Sequence, residues 1–509
     1  MARNTPRVAV AASSQDAADA GAEIAEQGGN AVDCAIAAAM YSINTEPGVC
    51  ALAGSAFVTV WPAGEDPLTI DGNVAIPGMG LAEDFQPEAE SVYMEYGGGV
   101  ETFVGCASVA VPGTPAALHL ASQRFGRVEW RQLLQPVIRA TRKGFALPAA
   151  CNYYLGYSGD VIFGRSEAGH GALHDDDGKV IETGGAILVP QLADSLTAIA
   201  EGGSEVFYTG ELGRAIAEHV QKGGGFLSLQ DLENYQPLVR DSLMTRLGNW
   251  QIASNPPPAV GGAVLAAMLI AFDKHPISRW DDDAVRQLLR VQQAALSYRR
   301  GTLDLSDDVA KDVATLLELA KSGELLSRRS SSATVHTSAV DDSGLACAIT
   351  ASSGYGSGEM PAGTGLWLNN CFGEIELNRR GYDAAPPGKR LPSNMAPSVA
   401  RTEGRILAMG SPGADRITTA LQQFLINHLQ LGQGLAEAIA HPRLHLEIDG
   451  AKLNIAVEPG LDIPPSDVPI TRYPDISMYF GGVVAALFDS QSGFVAAADP
   501  RREGGTRIC

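Results

Sequence analysis

The segment Thr334-Val335-His336-Thr337-Ser338 gathers hydroxyl groups and an imidazole directly after the polar run Ser327-Arg328-Arg329-Ser330-Ser331-Ser332-Ala333. A threonine hydroxyl is a weak nucleophile at neutral pH and attacks a carbonyl only beside a base that takes its proton. His336, two residues along a predicted strand, is one candidate for that base. Taken alone, hydroxyl residues in a serine-rich run are ordinary loop chemistry. A catalytic reading therefore needs support from elsewhere in the chain. His441 and His445 stand without clustered Cys, His or carboxylate spacing, so no metal and no cofactor is expected.

Support comes from short motifs spread along the chain. They are Asn30-Ala31-Val32-Asp33, Val111-Pro112-Gly113-Thr114-Pro115, Phe207-Tyr208, Asn255-Pro256-Pro257-Pro258 with Gly261-Gly262, Leu368-Asn369-Asn370, Gly410-Ser411-Pro412-Gly413 with Arg416, and Asp499-Pro500-Arg501. Their order and approximate spacing resemble those of the γ-glutamyltranspeptidases over nearly the whole length. In that family Thr-x-His-x-Ser opens the small subunit immediately after an autoproteolytic cut. The resemblance implies a cut between Ala333 and Thr334, freeing an α-amino group of pKa about 8 to act as the base beside the Thr334 hydroxyl. No separate histidine is then required, and His336 reads as a packing residue. By the same resemblance Ser352 orients the nucleophile, and the backbone N–H groups of Gly413-Ala414 form the oxyanion hole. Ala414 stands where the family has a second glycine; because the donor is backbone, the change is expected to be harmless.

The resemblance weakens in the substrate pocket. Family members hold the γ-glutamyl carboxylate with an arginine where this chain has Asn73, losing a charge-assisted contact worth about 1.5–3 kcal/mol. After Asn369-Asn370 the family continues with glutamine and, three residues on, aspartate; here Cys371 and Glu374 occupy those positions. Paired serines become Ser393-Asn394, and the Ser352 to Gly356 stretch is shorter by about two residues, without the family's asparagine. Cys371 reads as a small apolar filler or as a thiol lining the pocket, and Asn73 as a substrate contact or a turn residue beside Gly72.

The elements that must position these residues follow from hydrophobic periodicity. Val8 to Ser13 reads as a buried strand, Gln15 to Gln27 as a helix, and Asn30 as the cap of a second helix that Pro47 ends. Strands are predicted at Ala56 to Trp61, Leu68 to Asp71 and Trp250 to Ala253. Helices are predicted within Val128 to Leu147, then at Pro190 to Ala200, Glu211 to Lys222, Ala263 to Phe272 and Asp283 to Arg299. Asp304 to Ala333 is the most polar stretch, and its end, Ser327 to Ala333, reads as an exposed flexible loop. Thr334 to Val340 and Leu345 to Thr350 then form a hairpin about the turn Asp341-Asp342-Ser343-Gly344. Further strands (Ile406 to Met409, Lys452 to Val457, Gly482 to Leu487) alternate with helices Ile417 to Leu429 and Leu435 to Ala440. The family's fold is the four-layer αββα sandwich of the N-terminal-nucleophile hydrolases, an α+β arrangement. Segments 1–333 and 334–509 would remain associated as one unit, with a higher oligomer also open.

Composition narrows the partners. The 509 residues carry a formal charge of −21, without a basic arm, which argues against nucleic acid and would repel an anionic ligand unless a local pocket reverses the field. No run of apolar residues is long enough to span a membrane. Without an apolar segment behind Arg3 and Arg7, and with seven dispersed cysteines, a cytoplasmic protein is expected. The function implied is a threonine hydrolase or acyltransferase acting on a small molecule, probed by the altered pocket as something other than an ordinary γ-glutamyl enzyme. A true glutathione or γ-glutamyl hydrolase, a C–C bond hydrolase of a bacterial natural-product pathway, and a non-catalytic scaffold of the same fold are the alternatives.

Overall fold

The strands Val8–Ala12, Ser55–Trp61, Val335–Asp341 and Ala346–Ser352 are buried at every position, so the sheet they form is covered on both faces. The computed structural model describes residues 7–82, 84–96, 99–323, 334–375, 378–382, 385–449 and 452–509. In it this sheet has seven strands, ordered Gly505–Ile508, Val8–Ala12, Val335–Asp341, Ala346–Ser352, Ser55–Trp61, Leu68–Gly72, Leu238–Asp241. A six-stranded sheet follows the order Gly493–Ala498, Val484–Asp489, Arg405–Gly410, Ser398–Thr402, Trp250–Ser254, Leu243–Leu247. All neighbours in both sheets are antiparallel.

Ala9, Ala253, Ala346, Ala348, Ala408 and Ala486 form one buried cluster shared by the two sheets, with Trp61 its largest member. Small side chains at facing positions let the backbones approach closely. Helices including Ala31–Thr45, Thr114–Phe125 and Glu211–Lys222 supply the core against the seven-stranded sheet. Gly261–Lys274, Asp282–Gly301 and Arg416–Leu425 do the same for the six-stranded sheet. The result is the αββα sandwich expected from the sequence.

Asp341 fixes the central hairpin. Its buried carboxylate accepts from Ser343 N at 3.0 Å and Leu345 N at 3.3 Å inside the turn, and from Ala31 N at 3.1 Å. The last bond docks the start of the helix Ala31–Thr45, whose capping box on Asn30 and Asp33 is complete, against the hairpin. Strands from before and after residue 334 interleave in the seven-stranded sheet and meet at the Trp250–Ser254 and Ser398–Thr402 pair in the six-stranded one. One difference from the sequence reading is the helix Val309–Ser322, inside the stretch read as merely polar: Asp308 caps it, Val313, Leu316 and Ala320 are buried, and Gly323 closes it. The run Ser327 to Ala333 lies outside the described residues.

Candidate active site

Thr334 sits immediately ahead of the strand Val335–Asp341 and is buried, 3% exposed. Val335 pairs with Ala351, and Ser352 with Ser55. Extending the first register by one residue sets Thr334 opposite Ser352. Ser55 Oγ donates to the Ser352 carbonyl at 3.2 Å, and Ser352 Oγ accepts from Gly354 N at 3.2 Å. All five pocket residues expected from the sequence, Asn73, Cys371, Glu374, Ser393 and Asn394, line one cleft with Thr334 and Ser352. The cleft's volume is about 20 Å³, room for about one water.

Each wall residue has local work. Asn73 is buried; its Nδ2 donates to Leu391 O at 2.6 Å and its carbonyl accepts from Tyr235 Oη at 2.6 Å. It therefore pins the Leu391 to Asn394 segment that forms the opposite wall. Ser393 O accepts from Val260 N at 2.9 Å and Gly261 N at 3.1 Å, capping the helix Gly261–Lys274. A Cβ on Gly261 would fall 2.1 Å from Asn394 O, so glycine is what lets this helix end reach the wall. Cys371 lines the cleft and also packs with Val74, Ile76 and Phe372; burial, then Glu374, pushes its thiol well up. Asn369 and Asn370 are structural ties. Asn369 Nδ2 donates to Ala53 O and Ala110 O, and Asn370 Oδ1 accepts from Tyr355 N and Gly356 N, shaping the loop after Ser352.

Gly413 and Ala414 are not among the residues lining the cleft; they adjoin it through Asp415, whose Oδ1 accepts from Asn394 Nδ2 at 3.1 Å. Both are in the left-handed region, Gly413 at φ +119° and Ala414 at φ +67°. The alanine substitution is therefore not conformationally neutral, because an L-residue pays a steric penalty of about 1 kcal/mol there. Asp415 is buried and paired with Arg299 at 2.7 Å and Arg300 at 3.6 Å. Burial raises its carboxyl, and the two guanidiniums more than offset this, holding it below the usual range.

The γ-glutamyltranspeptidase family model matches residues 17–509. The chain belongs to the γ-glutamyltranspeptidase family. It is 29% identical to the mouse glutathione hydrolase 5 proenzyme, over 98% of this chain and 92% of that protein. It is 27% identical to the acylase ACY 1 proenzyme of a Pseudomonas strain, over 96% and 91%. The fold is that of the cephalosporin acylase from Bacillus halodurans, with a TM-score of 0.83 and 23% identity, covering 99% of this chain and 96% of that one. As a member of the γ-glutamyltranspeptidase family the protein is an enzyme, a hydrolase or acyltransferase.

The histidines stand apart from that chemistry. His336 is buried, with Nδ1 2.7 Å from Thr350 Oγ1 and Nε2 2.9 Å from Ser338 Oγ. Burial lowers its pKa to about 3, so the ring is neutral and held between hydroxyls. His445 is buried against Thr419 Oγ1 at 3.1 Å, and burial, then Arg416, lowers it to about 3. His441 Nδ1 lies 2.9 Å from Pro442 O. Elsewhere, Cys106, His219 and Glu359 each place a ligand-type atom within 4.8 Å of the others. His219 Nε2 is 2.7 Å from Glu359 Oε2, and burial, then Glu359, raises the thiol to about 12. These residues are far apart in sequence, so no spacing rule reveals the grouping. The residues the sequence reading missed are Ser55, Val74, Leu391, Pro392 and Met395 in the wall, and Tyr235 and Asp415 behind it; only the folded chain brings them in.

Proposed function

We propose that the chain cuts itself before Thr334 and uses the freed threonine against an acyl carbonyl. The observation that carries this reading is Thr334 at a strand start, sharing one cleft with Ser352 and all five expected pocket residues. Thr334 Oγ attacks the carbonyl carbon while its α-amino group takes the hydroxyl proton. That proton passes to the leaving group as the scissile bond breaks, leaving an ester on Thr334. Water, deprotonated by the same amine, then hydrolyses the ester, or an acceptor amine takes the acyl group. By the family resemblance the oxyanion rests on backbone N–H groups at Gly413-Ala414, which adjoin the cleft through Asp415 rather than lining it; such a donor contributes about 3 kcal/mol.

The acyl group is other than ordinary γ-glutamyl. Asn73 supports this: it is neutral and buried, and its side-chain amide already donates to Leu391 O, where a glutamate clamp needs a free guanidinium. Intact mass of the purified protein tests the class. Fragments 1–333 and 334–509 are expected, with Thr334→Ala uncut and inactive; an active chain that stays whole would sink the proposal. Turnover of γ-glutamyl-p-nitroanilide at the level of its glutathione-hydrolase relatives would overturn the substrate half alone.

A further inference from the structure

The cleft at Thr334, with about 20 Å³ of space, is bounded by Leu391 and Pro392, and those two residues also wall a cavity of about 650 Å³. A void of this size is ordinary for a small-molecule site, whereas the cleft itself holds no more than about one water. The body of a substrate whose carbonyl reaches Thr334 has this neighbouring volume to occupy.

The walls of the larger cavity invert the charge of the molecule around it. Among the described residues Arg240, Arg379, Arg380, Lys389 and Arg390 face it, in a chain of net charge −21. Its acids are already engaged. Asp304 pairs with Arg299 at 3.1 Å and with Arg379 at 3.5 Å, Asp307 with Arg380 at 2.6 Å, and Asp308 caps the helix Val309–Ser322. The cations are not all matched in return. Arg240 at 2.7 Å and Arg390 at 3.7 Å share the single buried carboxylate of Asp71, which leaves one positive charge in excess. The Arg390 side chain is only 8% exposed; its Nε faces Asp71 and its Nη2 donates to Gln236 O at 2.5 Å, so the guanidinium is fixed at the cavity wall without a carboxylate of its own. Lys389 is exposed, with no carboxylate partner among the described residues. Cavity and cleft are also tied mechanically: Arg390 lies over the Tyr235 ring at 4.2 Å, and Tyr235 Oη donates to Asn73 O at 2.6 Å.

We propose that this cavity receives a carboxylate carried by the substrate, remote from the carbonyl that Thr334 attacks. The assignment rests on Thr334 as the nucleophile and names the substrate class: a carboxylate-bearing acyl compound, recognised at Lys389 and Arg390 instead of at position 73. The largely buried Arg390 guanidinium, where salt screens less than at the open surface, and the exposed Lys389 ammonium beside it supply positive charge to such a group.

Calorimetry on the purified full chain tests the binding, with succinate, adipate and suberate as probes and adipamide as the uncharged control. At least one diacid is expected to bind, more weakly as salt rises, while adipamide gives no heat. The exposed change Lys389→Glu is expected to weaken diacid binding about tenfold or more without moving Tm. Kinetics supply the second arm, comparing the p-nitroanilide of hexanoic acid with the mono-p-nitroanilide of adipic acid. The charged anilide is expected to show the lower KM, and Lys389→Glu to erase that advantage. Equal binding of diacid and diamide, no diacid binding at all, or diacid binding indifferent to Lys389→Glu overturns the cavity assignment. Turnover that depends on Thr334 with no preference for the charged anilide overturns it too, leaving the nucleophile intact. Lys389-dependent diacid binding in a chain that never cuts itself has the opposite meaning: the cavity stands and the threonine mechanism falls.

Discussion

Ala414 holds φ +67° with a methyl group in place of hydrogen. Relieving that conformation with glycine removes about 1 kcal/mol of steric cost but adds a similar conformational entropy to the unfolded chain. Ala414→Gly is therefore expected to change unfolding free energy by less than about 1 kcal/mol and to leave kcat/KM within about twofold. Ala414→Val, β-branched at positive φ, should lose clearly more stability in the same denaturant titration. The base can be identified at this scale as well. If the α-amine of Thr334 is the base, kcat/KM climbs with pH to a plateau above about 8. His336, already neutral down to about 3, contributes no limb near 6.5, and a limb there would contradict the assignment. At Asn73 the amide N–H to Leu391 O is the bond at stake. Asn73→Ala leaves a buried carbonyl unpaired, at about 1–3 kcal/mol, and loosens the wall that carries Ser393 and Asn394. Both KM and kcat should suffer, and Asn73→Arg should bring no γ-glutamyl turnover.

Among the elements, the hairpin Val335–Asp341 and Ala346–Ser352 decides most. It lies between Val8–Ala12 and Ser55–Trp61, so strands from both sides of residue 334 share one ladder. Fragments 1–333 and 334–509 should elute as a single species in native buffer and part only at the denaturant concentration where circular dichroism is lost. Dissociation well before that point would refute the shared core. Most of these elements were legible because their signals are local: apolar runs for the strands, Asn30 for a cap, Asp341 to Gly344 for a turn. The helix Val309–Ser322 was overlooked because it lies inside the polar stretch Asp304 to Ala333, although Val313, Leu316 and Ala320 trace a buried face. Of the candidate site residues, Thr334, Ser352, Asn73, Cys371, Glu374, Ser393 and Asn394 line the cleft, whereas Gly413 and Ala414 do not. Ser55 and Tyr235 were not legible, since a serine opposite Ser352 and a phenol under Asn73 exist only once the chain is folded.

For the whole molecule, pH acts through a few buried groups of opposite sign. His336 and His445 are held neutral to about 3 in the fold, so the unfolded chain binds more protons below its ordinary histidine range. Their contribution is complete above about 6.5 and is lost as pH falls. Glu46, raised to about 7 by burial, works the other way, its contribution fading as pH rises from about 4.5 to 7. The two histidines outweigh the one glutamate, and His119, His428 and His441, also lowered by burial, act in the same sense while the raised Asp33, Asp231 and Asp304 act against it, so stability is expected to increase with pH between about 4.5 and 6.5. Denaturant titrations at those two values check the sign. The edge pairing in the seven-stranded sheet reaches further. Val8 N donates to Cys509 O at 3.2 Å and Cys509 N to Val8 O at 2.9 Å, so the two ends of the described chain are neighbours in one ladder. A short linker across them, with the polypeptide reopened ahead of Thr334, would give a circular permutant whose first residue after the initiator methionine is the threonine itself. Translation and methionine removal would then do what the native chain is proposed to do by cutting itself, and nucleophile maturation could be separated from catalysis in a single covalent chain.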